Sequence, residues 1–535
     1  ILSRITPLPK RVAIGTDVDP VMLEIFNNLF MSAAEQMGLV LQKTTNSVNI
    51  KERLDFSCAV FDDEGELIAN APHIPVHLGS MDESTKAVIR VHGAIMRPGD
   101  VFVLNAPYNG GTHLPDVTVI TPVFDDDDLG DDATVLFYVA SRGHHAEIGG
   151  ISPGSMPPYS RNVEEEGILI DNIKLVDQGR FLEAEIREVL ASGPYPSRNP
   201  DSNIADLKAQ IAACETGVQE LRRVVAHFGL DVVHAYMGHV QDNAEESVRR
   251  VIDDLQSGSF ECPLDDGSVI KVAVSVDHAA RTAKIDFTGT SKQLETNFNA
   301  PTAVSRSAVL YVFRSLVDAD IPLNAGCLKP IELLIPDDCM LNPKYPAAVV
   351  AGNVETSQNI VDCLYGALGR LAACQGTMNN FTFGDDELQY YETICAGTPA
   401  GPGFDGTDGV HAHMTNSRLT DPEILEWRFP VMLDSFSIRP NSGGRGAFNG
   451  GAGTLRCIRF LRPMTASILS CRRDVEPHGI AGGGNGQAGR CWVTRANGAH
   501  EELSGCDSAE MEAEDVFVIQ TPTGGAYGTT EEVES

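Results

Sequence analysis

Two runs of β-branched and aromatic residues, Val117-Thr118-Val119-Ile120 and Val135-Leu136-Phe137-Tyr138-Val139, constrain this chain most, because each adjoins a histidine-bearing segment. Gly110-Gly111-Thr112-His113-Leu114-Pro115-Asp116 leads into the first run. Ser141-Arg142-Gly143-His144-His145-Ala146-Glu147 leaves the second. Both runs read as strands. As neighbours they gather His113, Asp116 and His144 around one point, and two imidazoles plus a carboxylate with open positions form a hydrolytic or Lewis-acid metal site. The donor set suits zinc, manganese or iron. Pro115 fixes the backbone before Asp116, and the glycines ahead of His113 are expected to let a ligand approach closely. The plainer alternative is a hydrogen-bonded histidine in a Gly-rich turn, with Asp116 capping the loop.

Strand alternation turns His145 to the face opposite His144, so only one of the pair is expected to be a ligand. Glu147, two residues further on, is a candidate to orient a ligand imidazole or act as general base, and His145 is the other candidate for handling a proton. Arg53, Asp55 and Ser57 lie at the start of a predicted strand. Arg53 suits either bidentate capture of a substrate carboxylate or a structural salt bridge. His73 and His77 flank Pro75; they either line the same cavity or are packed and hydrogen-bonded. Arg53, Asp55, Ser57 and His77 form the candidate substrate-binding set.

At 535 residues the chain exceeds one ordinary core, so two to four domains are expected. The spacing predicts a helix over 19–44, a strand over 55–61 with a hairpin turn at 62–65, and a helix over 82–92. Helices follow over 201–256 with a break at Gly229. Strands begin near Val269, and a helix covers 304–317. The class is mixed α/β (α+β) and multidomain. We divide it as an N-terminal α/β domain with the candidate metal site (1–195), a helical segment (196–258), a β-rich domain with a helix (259–345) and a Gly-rich mixed C-terminal domain (346–535). The Pro/Gly/Ser-rich stretch 193–200 marks the first boundary.

A formal charge of −34 without a basic stripe excludes nucleic acid as a partner. The acidic block Asp125-Asp126-Asp127-Asp128 reads as a solvated loop. No apolar run spans a bilayer and no signal-peptide pattern opens the chain, so a cytoplasmic, membrane-free protein is expected. A start at Ile1 is expected of a processed or trimmed chain, or of one half of a longer polypeptide. The twelve cysteines show no C-x-x-C pair and read as small buried hydrophobes of a reducing compartment, with no structural zinc cluster and no nucleophile among them. ATP-site motifs are missing: there is no G-x-x-x-x-G-K-[ST] loop, and Asp286-Phe287-Thr288-Gly289-Thr290 reads as a β-turn. No G-x-S-x-G elbow appears, and Gly154-Ser155-Met156-Pro157-Pro158 reads as a Pro-shaped loop closing over the histidine site.

Longer motifs carry a resemblance. Arg53–Phe61, His73–Met81, Gly110–Asp116 and Ser141–Pro158 resemble the hydantoinase B/oxoprolinase family. So do Gly352–Gln358, Met378–Asn380, Tyr390–Thr393, His413–Arg418, Asp421–Glu426 and Ser442–Gly446. Within that family the chain looks most like the C-terminal half of ATP-hydrolysing 5-oxoprolinases, which open 5-oxo-L-proline to L-glutamate. The resemblance implies a cyclic amide hydrolase of the 5-oxoprolinase/hydantoinase type with a divalent metal at His113, Asp116 and His144. It also implies a hydantoinase A-like subunit or domain that binds ATP, a small-molecule lactam substrate and a higher oligomer. Relatives implied as alternatives are N-methylhydantoinases, a lactamase opening caprolactam, and acetone and acetophenone carboxylase subunits. A non-catalytic scaffold is the rival of another class. One departure stands out: this chain has Asn105-Ala106-Pro107 where many relatives carry Asn-Asp-Pro.

Overall fold

The computed structural model describes residues 15–125, 133–319 and 321–530; residues 126–128 of the acidic block lie outside them. Among the described residues no helix is long and apolar enough to cross a membrane.

The N-terminal sheet is antiparallel throughout. Its strands are β1 (Phe56–Phe61), β2 (Leu67–Asn70), β3 (Val101–Leu104), β4 (Asp116–Phe124), β5 (Val135–His144), β6 (Ile173–Asp177) and β7 (Arg180–Phe181), in the order β2-β1-β5-β4-β3-β6-β7. Its central strands are buried on both faces, which is why they read as continuous apolar runs. One face packs against the helices Pro20–Thr44 and Pro200–Phe228, the other against Met81–His92. The helix Pro20–Thr44 starts where the Asp19 carboxylate accepts from the Val21 and Met22 amides at 3.0 and 2.9 Å. Its buried face carries Phe26, Phe30, Ala33, Met37 and Leu41 at helical spacing. Helix Pro200–Phe228 ends at Gly229, whose φ of 89° suits glycine, and a second helix runs over Leu230–Asp253.

That second helix joins two cores: Val233 and Val240 belong to the first, Ala244 to Ile252 to the next. The stretch set apart as 196–258 therefore shares its packing with the N-terminal sheet. The second core lies under β8 (Gly258–Pro263), β9 (Val269–Asp277), β10 (Thr282–Asp286) and β11 (Ile331–Leu334), with helices Thr302–Ser315 and Ser357–Leu368. The Asp286–Thr290 segment is a turn in which the Thr290 amide donates to the Phe287 carbonyl at 3.1 Å.

The last third contains two sheets around a shared core. One has the order β13-β12-β16-β19, from β12 (Asn380–Gly384), β13 (Gln389–Thr393), β16 (Met464–Leu469) and β19 (Cys506–Met511). The other has the order β14-β15-β20-β17-β18, from β14 (Val431–Ile438), β15 (Thr454–Phe460), β17 (Arg490–Thr494), β18 (His500–Leu503) and β20 (Val516–Gln520).

Sequence periodicity misses the helix Ser357–Leu368 and the π-helical turn Gly352–Thr356 ahead of it. Nearly every residue of the two is buried, polar ones included, so no amphipathic stripe exists to read. Gly352 has a steric reason: a Cβ there would lie 1.9 Å from the Asn299 carbonyl oxygen.

Candidate metal centre

Strands β4 and β5 are antiparallel neighbours, and their register sets Asp116 directly opposite His144. His113 lies on the turn entering β4. Donor atoms of His113, Asp116 and His144 all fall within 4.8 Å of one another, and the three residues are buried. The turn is built tightly: a Cβ on Gly110 would meet the Glu83 carbonyl at 2.5 Å, and one on Gly111 the Asn105 carbonyl at 2.3 Å. These glycines therefore serve close packing of the protein on itself, not the approach of a ligand. Asn105 pins the same turn by donating to the Leu114 and Ile168 carbonyls, at 2.8 and 2.9 Å, while accepting from the Ile170 amide at 2.7 Å. At the adjoining departure, Ala106 is buried and its carbonyl holds the Gly111 amide at 2.8 Å.

Asp116 is the hub. Its Oδ2 accepts from the Thr112 hydroxyl at 2.8 Å and the Asn353 amide at 3.2 Å, and stands 3.2 Å from His113 Nε2. Its Oδ1 stands 3.1 Å from His77 Nε2. Burial opposes its charge, yet the attraction of His113 and His77 holds Asp116 well below the usual carboxylate range. Burial, reinforced by His113, pushes His144 well below the usual histidine range, leaving a neutral imidazole of the kind metals bind.

The fit to a cation shows in what is unpaired. His113 Nδ1 and Nε2, His144 Nε2 and Asp116 Oδ1 have no hydrogen-bond partner although all are buried. The short His113–Asp116 separation is thus an approach without a hydrogen bond, because the ring N–H does not point at the oxygen. Buried polar atoms left unpaired at one point are costly, and a bound cation relieves one His113 nitrogen, His144 Nε2 and Asp116 Oδ1 together. His144 Nδ1 lies 3.0 Å from the His145 carbonyl oxygen and 3.1 Å from the Asn49 side-chain amide; in the tautomer that donates to the carbonyl, Nε2 is the free lone pair.

A second layer holds the His144 ring. Tyr391 stacks on it with ring centres 4.6 Å apart and planes at 20°, and the Arg53 guanidinium lies 4.5 Å from the centre of the Tyr391 ring. Arg53 is fully buried and donates to Asp55 at 3.3 Å, Thr393 at 3.1 Å and Ser417 at 3.3 Å. It therefore acts as a structural brace rather than an open clamp for a substrate carboxylate. Asp55 is its ion-pair partner and also receives the His144 amide on its carbonyl at 3.0 Å. Burial raises the Asp55 carboxyl, with Arg53 opposing. Ser57 faces His77 Nδ1 at 3.2 Å and so orients the imidazole that touches Asp116.

His145 and Glu147 face away from the cluster. His145 is held by Gln210 at 3.1 Å and Asn203 at 3.0 Å, both on the helix Pro200–Phe228. Glu147 accepts from the Gly149 and Gly154 amides at 2.6 and 3.1 Å and from Arg198 at 3.0 Å. Burial raises its carboxyl while Arg198 opposes. Both side chains anchor loops, and neither is placed to pass a proton at the cluster. The Gly154–Pro158 loop is drawn onto Glu147 in the same way: the Ser155 hydroxyl takes the Ile148 amide at 2.8 Å and donates to Gly149 C=O at 2.6 Å.

His73 is a neutral packing histidine whose Nδ1 accepts from the Cys58 amide at 3.0 Å, and burial lowers its pKa to about 3. The unfolded chain binds that proton near pH 6.5 and the folded chain resists it, so this stability is present above pH 6.5 and is lost as pH falls toward 3. Replacing His73 with Gln should flatten the urea-unfolding free energy between these limits by up to about 1.4 kcal/mol per pH unit; an unchanged pH slope would show that the imidazole is charged when folded. A cleft of about 440 Å³ borders His73, Leu54, Phe56, Asn416 and Arg418, chain neighbours of Arg53, Asp55 and Ser417.

Residues that sequence reasoning left without a role are Thr112, Asn353, Tyr391, Thr393 and Ser417. Their only signal was membership of the motifs that carried the family resemblance.

Comparison with known proteins agrees with this architecture. The 5-oxoprolinase of Dictyostelium discoideum is 46% identical over 97% of this chain and 41% of its own length. The 5-oxoprolinase 1 of Arabidopsis thaliana is 46% identical over 99% of this chain and 43% of its own. The chain thus spans less than half the length of these relatives. Two solved structures share the fold: an ATP-dependent caprolactamase from Pseudomonas jessenii (TM-score 0.83, 24% identity, 96% of this chain and 91% of that one) and a nucleotide-free acetone carboxylase (TM-score 0.84, 15% identity, 96% and 76%). The profile of the hydantoinase B/oxoprolinase family matches residues 19–530, a span that takes in the triad, its braces and all four sheets, and the chain belongs to that family.

Proposed function

We propose that this chain is the hydantoinase B-type part of an ATP-dependent cyclic amide hydrolase that opens 5-oxo-L-proline to L-glutamate. ATP is bound by a hydantoinase A-like subunit or domain. The observation that carries the reading is the buried convergence of His113, Asp116 and His144 with unpaired donor atoms. The similarity to 5-oxoprolinases supports the substrate.

An unstrained five-membered lactam resists hydrolysis, and phosphorylation of its amide oxygen by the partner would activate the ring carbon. A divalent zinc, manganese or iron ion at the triad would supply Lewis acidity and lower the pKa of water to roughly 7. The chain's own residues hold the donors in place. His77, Thr112 and Asn353 fix the Asp116 carboxylate, and Tyr391, braced by Arg53, fixes the His144 ring. Because the triad is buried, reaction takes place away from bulk water, where charges act more strongly.

His77→Ala and Asn353→Ala should each weaken metal affinity by about 10–100-fold without unfolding the chain, as outer partners of metal ligands do. Metal titration under competition with a chelator measures this, and an affinity equal to that of the wild type would remove both from the support of Asp116. The function itself is tested by ATP hydrolysis of the complete complex with 5-oxoproline, hydantoins, caprolactam and ketones. Glutamate formed in step with ATP consumed is the expected result. Bicarbonate-dependent ketone consumption without lactam opening would overturn the proposal.

A further inference from the structure

A second group of buried donors lies outside the site described above. Asp362 is on the helix Ser357–Leu368, Cys374 is on the irregular stretch that follows it, and His413 comes from a third segment. Their donor atoms all fall within 4.8 Å of one another, and all three residues are buried. His413 Nε2 is 3.3 Å from Asp362 Oδ1, and Cys374 Sγ is 3.7 Å from Asp362 Oδ2. Bonds of about 2.0–2.3 Å from a tetrahedral zinc place neighbouring donors about 3.3–3.6 Å apart; the His413–Asp362 separation falls within that range, and the Cys374 separation, measured to the other Asp362 oxygen, lies just beyond it.

We propose that Asp362, Cys374 and His413 form a second divalent-metal site, of zinc type, that clamps three segments of the chain together. It does not depend on the lactam-opening reading. His413 Nε2 is buried, has no hydrogen-bond partner, and faces Asp362, repeating the signature of the first cluster. Its other nitrogen lies 3.4 Å from the Tyr311 hydroxyl, which orients the ring with Nε2 toward the cluster. Gln358 Oε1 lies 3.8 Å from Cys374 Sγ and is the fourth donor the proposal assigns; its amide nitrogen donates to the Ala412 carbonyl at 3.1 Å, which leaves the oxygen free. Asp362 also accepts the Cys374 amide at 2.9 Å and has Arg472 at 3.9 Å, but a carboxylate has about four lone-pair sites and retains room for a cation. On binding, the Cys374 thiol releases its proton to solvent, and one carboxylate plus one thiolate balance a divalent charge. The absence of any C-x-x-C pair conceals this set from sequence, because only one of its ligands is a cysteine. The clamp bears on the first site, since the π-helical turn carrying Asn353 continues into the helix carrying Asp362.

The test uses the full chain loaded with Co(II) alone. The first cluster has no sulfur donor, so a near-ultraviolet thiolate-to-cobalt band reports the second. We expect this band in the wild type, together with sulfur scattering near about 2.3 Å in the X-ray absorption of the zinc form. Cys374→Ser and His413→Ala should each abolish the band and lower bound metal from two ions per chain to one, while His144→Ala keeps the band and loses the other ion. Should the Cys374 variant fail to fold, the wild-type X-ray absorption decides alone. Only nitrogen and oxygen scatterers in the wild type, or a band that survives Cys374→Ser, would overturn the proposal.

Discussion

His144→Ala and His113→Ala should each strip the ion from the first cluster and reduce ATP-coupled turnover by more than the 10–100-fold typical of outer-shell changes. Asp116 and His144 are cross-strand partners, so their spacing is set by the β4–β5 ladder and not by flexible loops. Removing one imidazole leaves two donors, too few for a tight site. Replacement by Ala also removes a buried imidazole whose Nε2 has no protein partner, so the loss of metal is expected to be larger than the loss of apo-protein stability. Elemental analysis and turnover on one preparation check both statements. Metal retained alongside lost turnover would separate the residue from the ion.

Glu392→Ala should have the largest effect on stability, about 3–5 kcal/mol, because it leaves the Arg456 charge buried without its partner. The pair is bidentate, with Arg456 Nε and Nη2 donating to the two Glu392 oxygens at 2.7 and 2.9 Å, and both side chains are buried. Tyr390 adds a hydroxyl donor at 2.9 Å. Burial lowers the guanidinium pKa, but the Glu392 charge outweighs it and the net shift is upward. Replacing both members with Met and Leu should recover most of the loss, since a buried pair often matches well-packed apolar residues in stability. Urea unfolding of the single and double variants measures this, and a single-variant loss below about 1 kcal/mol would show that water reaches the pair. The effect extends to the site, because Glu392 lies between Tyr391, which stacks on His144, and Thr393, which accepts from Arg53.

The part of the site legible in sequence is the part made by neighbouring strands. Alternation and β-branching place β4 and β5, and their histidine-bearing ends meet once the strands pair. His145 shows the limit of that reasoning: alternation gives its face correctly, but its partners Gln210 and Asn203 come from a helix that periodicity places without its packing direction. Glu147 reads in sequence as a ligand-orienting residue or general base because it lies two residues beyond His145, whereas Arg198 and two glycine amides hold it in the fold. Asn353 and Tyr391 reach the site from far along the chain. The first rides on a turn buried on all sides, where polar residues mask the helical period. The same masking hides Asp362, while the helix Pro20–Thr44, which has an exposed face, is readable within a few residues.

In the proposed function, His113, Asp116 and His144 hold a divalent ion that lactam opening requires. This requirement is tested most directly by removing metal from the complete ATP-binding complex with a chelator and then titrating zinc, manganese or iron back while following glutamate release from 5-oxoproline. Turnover should disappear on removal and return in step with occupancy of the first cluster, and the His144→Ala complex should show no return. Undiminished 5-oxoproline opening by metal-free complex would contradict the requirement.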